Sequence, residues 1–305
     1  MSLIDKLKQI EVLTFLNDTF KKIYYKYFIS GEKLISKRFY KRLGRDVNLV
    51  NPSKFNDKLQ WLKLYWHDPI ATKCADKYEV RQFVEEKIGD KYLNELLGVY
   101  ESVDEINLDE LPNSFVLKGT HGSGFNIICK DKYNMDWEKE YKKMKRWLRI
   151  NYYWPFREWV YKDIKPRIIC EKYLNDEEGK PPKDYKIFCF HGEPKLIQVD
   201  IDRFGSHKSN FYDTEWVLKN IEIENPSDKN IITQKPKGLS KMLELSKELS
   251  RDFPHARVDF YQVKGSIIFG EITFFHHSGF GEFRPPEFEE ELGAYLQLPK
   301  KYNIQ

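Results

Sequence analysis

Arg257-Val258-Asp259-Phe260-Tyr261-Gln262-Val263-Lys264-Gly265-Ser266-Ile267-Ile268-Phe269-Gly270-Glu271-Ile272-Thr273 reads as two strands, Arg257 to Val263 and Ile267 to Thr273, folded back at Lys264-Gly265. Residues i and i+2 of a strand share a face. Arg257 therefore points with Asp259, and Glu271 with Thr273. The turn sets Asp259 opposite Glu271, twelve residues later. Opposed carboxylates repel unless a cation lies between them. Magnesium suits such a place, because it takes oxygen ligands, commonly one or two carboxylates completed by phosphates. An ion-pair network on a solvent face is the plainer alternative. Val258, Phe260, Ile268 and Ile272 at alternate positions, with Phe269 beside the acids, argue against a wholly exposed hairpin.

Three upstream segments share this texture of apolar strands carrying a few charges. Lys118 ends the strand Ser114 to Lys118, and Gly119-Thr120-His121-Gly122-Ser123-Gly124 leads into a second strand, Phe125 to Lys130. Gly119, Gly122 and Gly124 let backbone N–H groups close on a ligand, as in loops that cradle phosphate. The loop is neither a Walker A motif nor a dinucleotide fingerprint, since a strand follows it. A plain hairpin turn is the competing reading. Next, Arg167 to Leu174 is an apolar strand closing on Glu171-Lys172-Tyr173-Leu174, whose edge groups suit a purine. In the third, Asp184 and Lys186 share a face of the strand that runs to Phe190. A carboxylate there can hold ribose hydroxyls and a lysine can reach phosphate; two ordinary core strands with solvated ends explain both segments as well.

The chain around these segments has 305 residues, 41% hydrophobic and 32% charged, with 51 basic against 47 acidic side chains. The abundant aromatic residues argue against disorder. A net charge of +4 gives no case for nucleic-acid binding. No apolar run approaches the ~20 residues of a membrane span. Cys74, Cys129, Cys170 and Cys189 stand apart without ligand spacing and read as reduced packing residues of a cytoplasmic protein. Leu7, Ile10, Leu13, Leu16 and Phe20 recur at helical steps, within a helical region of residues 1–70. Lys21 to Arg45 then carries nine Lys or Arg against one Glu. Two readings stand: a solvated helical face, or a peripheral dock for an anionic membrane surface or for polysaccharide machinery. Ser53 is placed to cap a helix holding Phe55, Leu59, Leu62 and Trp66, and helices fit Asp76 to Lys87, Asp136 to Arg149 and Leu239 to Ser250. Strands Tyr185 to Phe190 and Lys195 to Ile201 flank the turn His191-Gly192-Glu193-Pro194. Hairpins mixed with helices predict an α+β (α/β) chain.

Taken in order, Lys118 with its glycine loop, the Glu171-Lys172-Tyr173-Leu174 hinge, Asp184/Lys186, Arg257-x-Asp259 and Glu271-x-Thr273 resemble the ATP-grasp carboxylate–amine ligases. Phe55-Asn56-Asp57-Lys58-Leu59-Gln60-Trp61, Cys74-Ala75-Asp76-Lys77-Tyr78-x-Val80-Arg81 and Phe269-Gly270-Glu271-Ile272-Thr273-Phe274 narrow the resemblance to the TupA-like branch. That branch is named for teichuronopeptide biosynthesis and is associated with capsule and cell-wall polysaccharide. The resemblance covers roughly residues 50 to 285.

It implies an ATP-grasp fold over 71–305, with a flap subdomain at 114–174 and a catalytic subdomain at 175–305, the two sandwiching ATP. It implies that Lys77 and Lys118 contact the phosphates under a flap of Gly119, Gly122, Ser123 and Gly124. Glu171 and the backbone of Lys172 to Leu174 would hold adenine, Asp184 the ribose, and Lys186 would add positive charge. Asp259 and Glu271 would bind Mg2+, with Thr273 where many relatives have Asn. Arg257 would stabilise the transferred phosphoryl group. Apart from the resemblance, Arg203 suits a carboxylate, and of His276 and His277, which in a strand face opposite ways, one suits a base, His276 being the candidate, with a hydrogen-bonded structural histidine as the plainer reading. The implied reaction joins an amine to a carboxylate, such as a uronic acid sugar. A sugar or amino-acid kinase would use the same nucleotide site. A glycosyltransferase or nucleotide-sugar binder is suggested by Asp200-Ile201-Asp202.

Overall fold

A computed structural model describes residues 13–14, 16–176, 178–201, 207–231 and 233–302. Two antiparallel sheets organise it. The smaller contains β1 (Leu96–Tyr100), β2 (Phe115–Gly119), β3 (Asn126–Cys129) and β4 (Ile168–Lys172), in the order β1-β4-β2-β3. The larger runs β11-β10-β5-β6-β7-β8, from β5 (Asp184–Phe190), β6 (Glu193–Ile201), β7 (Lys208–Tyr212), β8 (Leu218–Lys219), β10 (His255–Val263) and β11 (Ser266–Thr273). A two-stranded ribbon pairs β9 (Glu222–Ile223) with β12 (Phe283–Arg284). The α+β expectation holds.

Each sheet has its own core. Phe115, Leu117, Ile168 and Cys170 alternate along β2 and β4 and bury against Met144 and Trp147 of the helix Trp137–Trp147. Asp136 caps that helix through its side chain, which accepts from the N–H of Lys139. In the large sheet, Ile187, Cys189, Val258 and Phe260 pack with Leu239, Met242, Leu245 and Leu249 of the helix Leu239–Ser250. Alternation then forces Lys186, Arg257 and Asp259 onto the opposite face. In the small sheet it turns Lys118 and Glu171 away from the Phe115–Cys170 core. All four cysteines are buried and free.

Both turns read as hairpins are tight ones. His191 and Gly192 have φ of 51° and 81°, and Lys264 and Gly265 have 48° and 83°. Paired positive φ values match the twist of the flanking strands.

Two local expectations change. Lys54 caps the helix Phe55–Tyr65, without a side-chain bond, because Ser53 sits one residue too early. The helix expected over Asp76 to Lys87 starts only at Val80 and runs to Ile88, and a separate helix, Pro69–Ala75, ends just before Asp76. Asp76 causes the break: its Oδ1 accepts from the backbone N–H of Tyr78 at 2.8 Å, a bond that competes with the helical ladder. No helix among the described residues is long and apolar enough to cross a membrane.

Candidate functional site

Strand register assembles the large sheet's half of the site. Asp259 lies opposite Glu271 on one side and Lys186 on the other, and Lys186 lies opposite Gln198. These four side chains form a polar row across β11, β10, β5 and β6. The opposition of Asp259 and Glu271 is therefore as expected. A register shift follows at once, since Phe260 pairs with Phe269. Gly270 is the extra residue, and a Cβ there would come within 3.0 Å of the Asp259 carbonyl oxygen. The bulge sets Phe269, not Gly270, opposite Phe260.

Arg257 holds the row together. Its Nε and Nη2 donate to the two oxygens of Asp259 at 2.7 and 2.6 Å. Nη2 also donates to Glu271 Oε1 at 2.9 Å and Thr273 Oγ1 at 3.1 Å. Burial raises Asp259 to about 6, with Arg257 and Lys186 opposing the shift and Asp184 and Glu271 adding to it. Burial would also raise Glu271, but Lys77, Arg257, Lys186 and the Thr273 hydroxyl outweigh it and hold that carboxyl at about 2. Lys186 donates to Asp184, and to Asp259 Oδ2 at 3.2 Å, with Asp200 Oδ2 at 3.6 Å. Asp184 is thus buried against Lys186 instead of standing open.

The small sheet contributes Lys118 and Glu171. Glu171 Oε2 accepts from Lys118 Nζ at 2.6 Å, and Oε1 from Arg81 at 3.4 Å. Burial would lower the Lys118 pKa; Glu171, Tyr261 and Glu271 outweigh that and raise it. Asn94 Nδ2 donates to the Lys172 carbonyl at 2.9 Å, and the Lys172 N–H donates to the Glu95 carbonyl at 3.0 Å. The backbone of Lys172 is therefore engaged on both sides, and a purine would have to displace Asn94 to reach its carbonyl.

The turn between the helices Pro69–Ala75 and Val80–Ile88 supplies Lys77. Its N–H donates to the Thr120 carbonyl at 3.2 Å and its Nζ to the Gly122 carbonyl at 2.7 Å. Burial depresses its pKa, as does Lys118, while Glu271, Asp76 and Glu171 act the other way. Lys77 and Lys118 thus share the field of Glu271, and the two halves meet. A cleft at the junction is lined by Lys77, Arg81, Asn94, Lys118, Glu171, Phe269 and Gly270.

The glycine loop bends over this junction. Ser123 and Gly124 are exposed, whereas Thr120, His121 and Gly122 are buried. Phe125 stacks on Trp147 at 5.3 Å, and a Cβ at Gly122 would meet the Phe125 ring at 2.8 Å and Tyr152 at 3.0 Å. Close packing, more than positive φ, requires glycine at that position.

On the substrate side, His276 and His277 do not alternate on a strand. They lie in a tight turn, His276–Gly279, with left-handed φ values at His277 and Ser278. His276 Nδ1 is 2.8 Å from Arg257 Nη1. Since guanidinium only donates, the imidazole accepts at Nδ1, and a neutral ring then carries its proton on Nε2. Burial, with His277 and Arg257 nearby, holds the ring well below its ordinary pKa. Its free lone pair is spent on Arg257, so the contact orients that guanidinium and does not suit a base. Arg203 and Asp202 lie outside the described residues. Asp200 turns inward: its Oδ1 accepts from Gln198 at 2.8 Å and Ser209 at 2.9 Å.

Sequence reasoning assigned no role to Arg81, Asn94 or the Lys63–Glu158 pair. Arg81 had a signal, its place four residues after Lys77. The buried pair had none. Lys63 Nζ donates to Ser278 Oγ at 2.7 Å, and burial pushes it down to about 7 despite Glu158.

The oxygen donors grouped closely enough to share a cation are Asp259, Glu271 and Thr273, and Arg257 donates to all three. Among the described residues no group of three His, Cys, Asp or Glu side chains is placed to hold a metal. Two carboxylates and a hydroxyl fit an Mg2+ ion that takes its remaining ligands from phosphate and water.

A family model described as TupA-like ATPgrasp matches residues 57–297. No curated protein matches the chain. Among solved structures the chain is similar to a D-alanine–D-alanine ligase from Bacillus anthracis complexed with ATP, at 15% identity and TM-score 0.39, covering 66% of this chain and 55% of that one. The Helicobacter pylori D-alanine–D-alanine ligase aligns at 13% identity and TM-score 0.42, over 82% and 68% of the two chains. An N5-carboxyaminoimidazole ribonucleotide synthetase from Thermus thermophilus aligns at 9% identity and TM-score 0.34, over 66% and 45%. The chain thus spans little more than half the length of the B. anthracis ligase.

Proposed function

This chain belongs to the TupA-like ATP-grasp family, and from that premise we propose that it is an ATP-dependent ligase joining an amine to a carboxylate through an acylphosphate. One observation carries the proposal: Lys77, Lys118 and Glu171 line the same cleft as Phe269 and Gly270, the residues of the large sheet that lead into Glu271. The triphosphate would lie between these groups, under the 119–124 loop, with the purine toward Glu171 to Leu174. The 114–174 and 175–305 segments would be the two jaws.

In the first step a carboxylate oxygen attacks the γ-phosphorus and the bond to ADP breaks. Lys77 and Lys118 would neutralise the charge spread over the phosphoryl oxygens, and Arg257, held by Asp259 and His276, would face the transferring group. Mg2+ bound by Asp259, Glu271 and Thr273 would supply further charge neutralisation. In the second step the amine attacks the acyl carbon, phosphate leaves and the nitrogen loses a proton. The loop, pinned by Phe125 on Trp147, would keep water from the mixed anhydride. We assign His276 to positioning Arg257. Lys186 is assigned to the neutrality of the carboxylate row, and Asp184 to holding Lys186.

The carboxylate is proposed to be a uronic acid sugar and the amine an amino acid or similar compound, in keeping with the family's association with capsule and cell-wall polysaccharide. The test is release of ADP and free phosphate from ATP in a screen of uronates against amines. The reading requires release that depends on both partners and is lost in Lys118→Ala and Glu271→Gln. ADP release with phosphate retained on a single acceptor would make the protein a kinase instead.

A further inference from the structure

The N-terminal helix is mounted the unusual way round. Its polar side faces the protein. Asp18 accepts from Arg146 Nε and Nη2 at 2.9 and 3.1 Å. Tyr25 accepts from Arg38 through its hydroxyl at 3.2 Å and from Arg157 through its carbonyl at 2.5 Å. Asp18 and Tyr25 are thus the points at which this segment, helical before Tyr24 and π-helical over Tyr24–Phe28, is held to the protein. The apolar residues stand on the other side. Leu16 is 55% exposed, Phe20 69%, Tyr27 68% and Phe28 74%, with Leu13, Ile23 and Tyr24 also exposed. Leu13, Leu16, Phe20 and Ile23 follow at steps of three and four on one helical face, and the π-helical turn Tyr24–Phe28 adds exposed Tyr24, Tyr27 and Phe28 after them. The repeat that reads as one apolar helical face in the sequence is turned to solvent at Leu13, Leu16 and Phe20.

Charge accompanies the stripe. Lys21, Lys22 and Lys26 are exposed on the same helix, and Lys33, Lys37 and Lys41 are exposed on the helix Gly31–Leu43 that follows. From Lys21 to Lys41 the one acid is Glu32, and Asp18 before them is taken by Arg146. An amphipathic helix with large apolar side chains flanked by lysines binds a bilayer in its interfacial plane, the apolar face entering the acyl boundary and the ammoniums meeting anionic headgroups.

We propose that residues 13–28 seat this protein on an anionic membrane surface, with Leu16, Phe20, Tyr27 and Phe28 entering the bilayer and Lys21, Lys22 and Lys26 contacting headgroups. Charge selects this occupant. A second copy packed on the same stripe would bring two sets of these lysines together, and like charges at an interface are unfavourable. A soluble acidic polymer would satisfy the lysines and leave the aromatic stripe in water. The surface lies outside the ATP site, so this inference stands apart from the ligase reading and its test uses no nucleotide.

The experiment is sedimentation of the full chain with vesicles of phosphatidylcholine containing phosphatidylglycerol, and with phosphatidylcholine alone. Preferential binding to the anionic vesicles, weakened by salt, is expected. A Leu16→Glu/Phe20→Glu variant should lose more than about tenfold in vesicle affinity, as should Lys22→Glu/Lys26→Glu. These side chains are exposed, so the thermal transition should be unchanged. Wild-type protein left in the supernatant with anionic vesicles would overturn the proposal, and so would equal binding by the variants. A wild-type dimer in light scattering that Leu16→Glu/Phe20→Glu converts to a monomer would overturn it too, assigning the stripe to self-association.

Discussion

The two sheets carry their charges in different ways. In the large sheet, the register across β5, β10 and β11 places Lys186, Asp259 and Glu271 side by side, and Arg257 bonds to Asp259, Glu271, Thr273 and His276. In the small sheet, Lys118 rests on Glu171, and Lys77 reaches the sheet's loop through a carbonyl. One wall is determined by several bonds at once. The other is held by fewer bonds. The proposed ligase reading uses both, a fixed wall for the carboxylates and lysines that exchange Glu171 and a carbonyl for phosphate.

The largest effect should come from breaking the rigid wall. Arg257→Ala strips the buried Asp259 of its two-point partner and leaves it Lys186 alone, and should destabilise the fold by about 3 kcal/mol in urea denaturation. A loss below about 1 kcal/mol would mean the row is not held by Arg257. Lys118→Ala, by contrast, should spare the fold and lower the rate of ADP release by roughly 10²–10³.

A third difference is visible in pH. His255 sits in the large sheet's core, 5.1 Å from the Phe55 ring, with its Nδ1 2.9 Å from the Cys189 carbonyl. Burial, with Arg257 nearby, pushes it down to about 3, against an ordinary value of 6.5. Between those values the unfolded chain takes up a proton that the native ring refuses. Stability should therefore be full above pH 6.5 and fall on acidification, by up to about 1.4 kcal/mol per pH unit for this residue. Denaturation at a series of pH values, with a flatter slope in His255→Gln, checks it.

The smallest effect tests the loop. Gly122→Ala pushes a methyl group at Phe125 and Tyr152. It should cost about 1–2 kcal/mol of stability, because packed rings must shift, and raise the KM for ATP, since the loop can no longer close as tightly.

Regular elements were the most legible part of the chain. The helix Leu239–Ser250 and both two-residue turns follow from local pattern, and the opposition of Asp259 and Glu271 follows from the turn. The Gly270 bulge was not legible, because a skipped ladder position depends on the neighbouring strand. Nor was the break at Asp76, where a side chain outcompetes a helical bond and delivers Lys77 to the loop. Lys118, Glu171 and Arg257 could be named as candidates. That Glu171 is claimed by Lys118 and Arg81, and His276 by Arg257, are tertiary pairings that no spacing encodes.

The most direct measurement is a structure of the protein with Mg2+ and a non-hydrolysable ATP analogue. The account predicts a triphosphate threaded between Lys77 and Lys118 on one side and Asp259 and Glu271 on the other, its purine against the strand that ends at Lys172. A nucleotide seated elsewhere, with Lys118 still closed on Glu171, would contradict it.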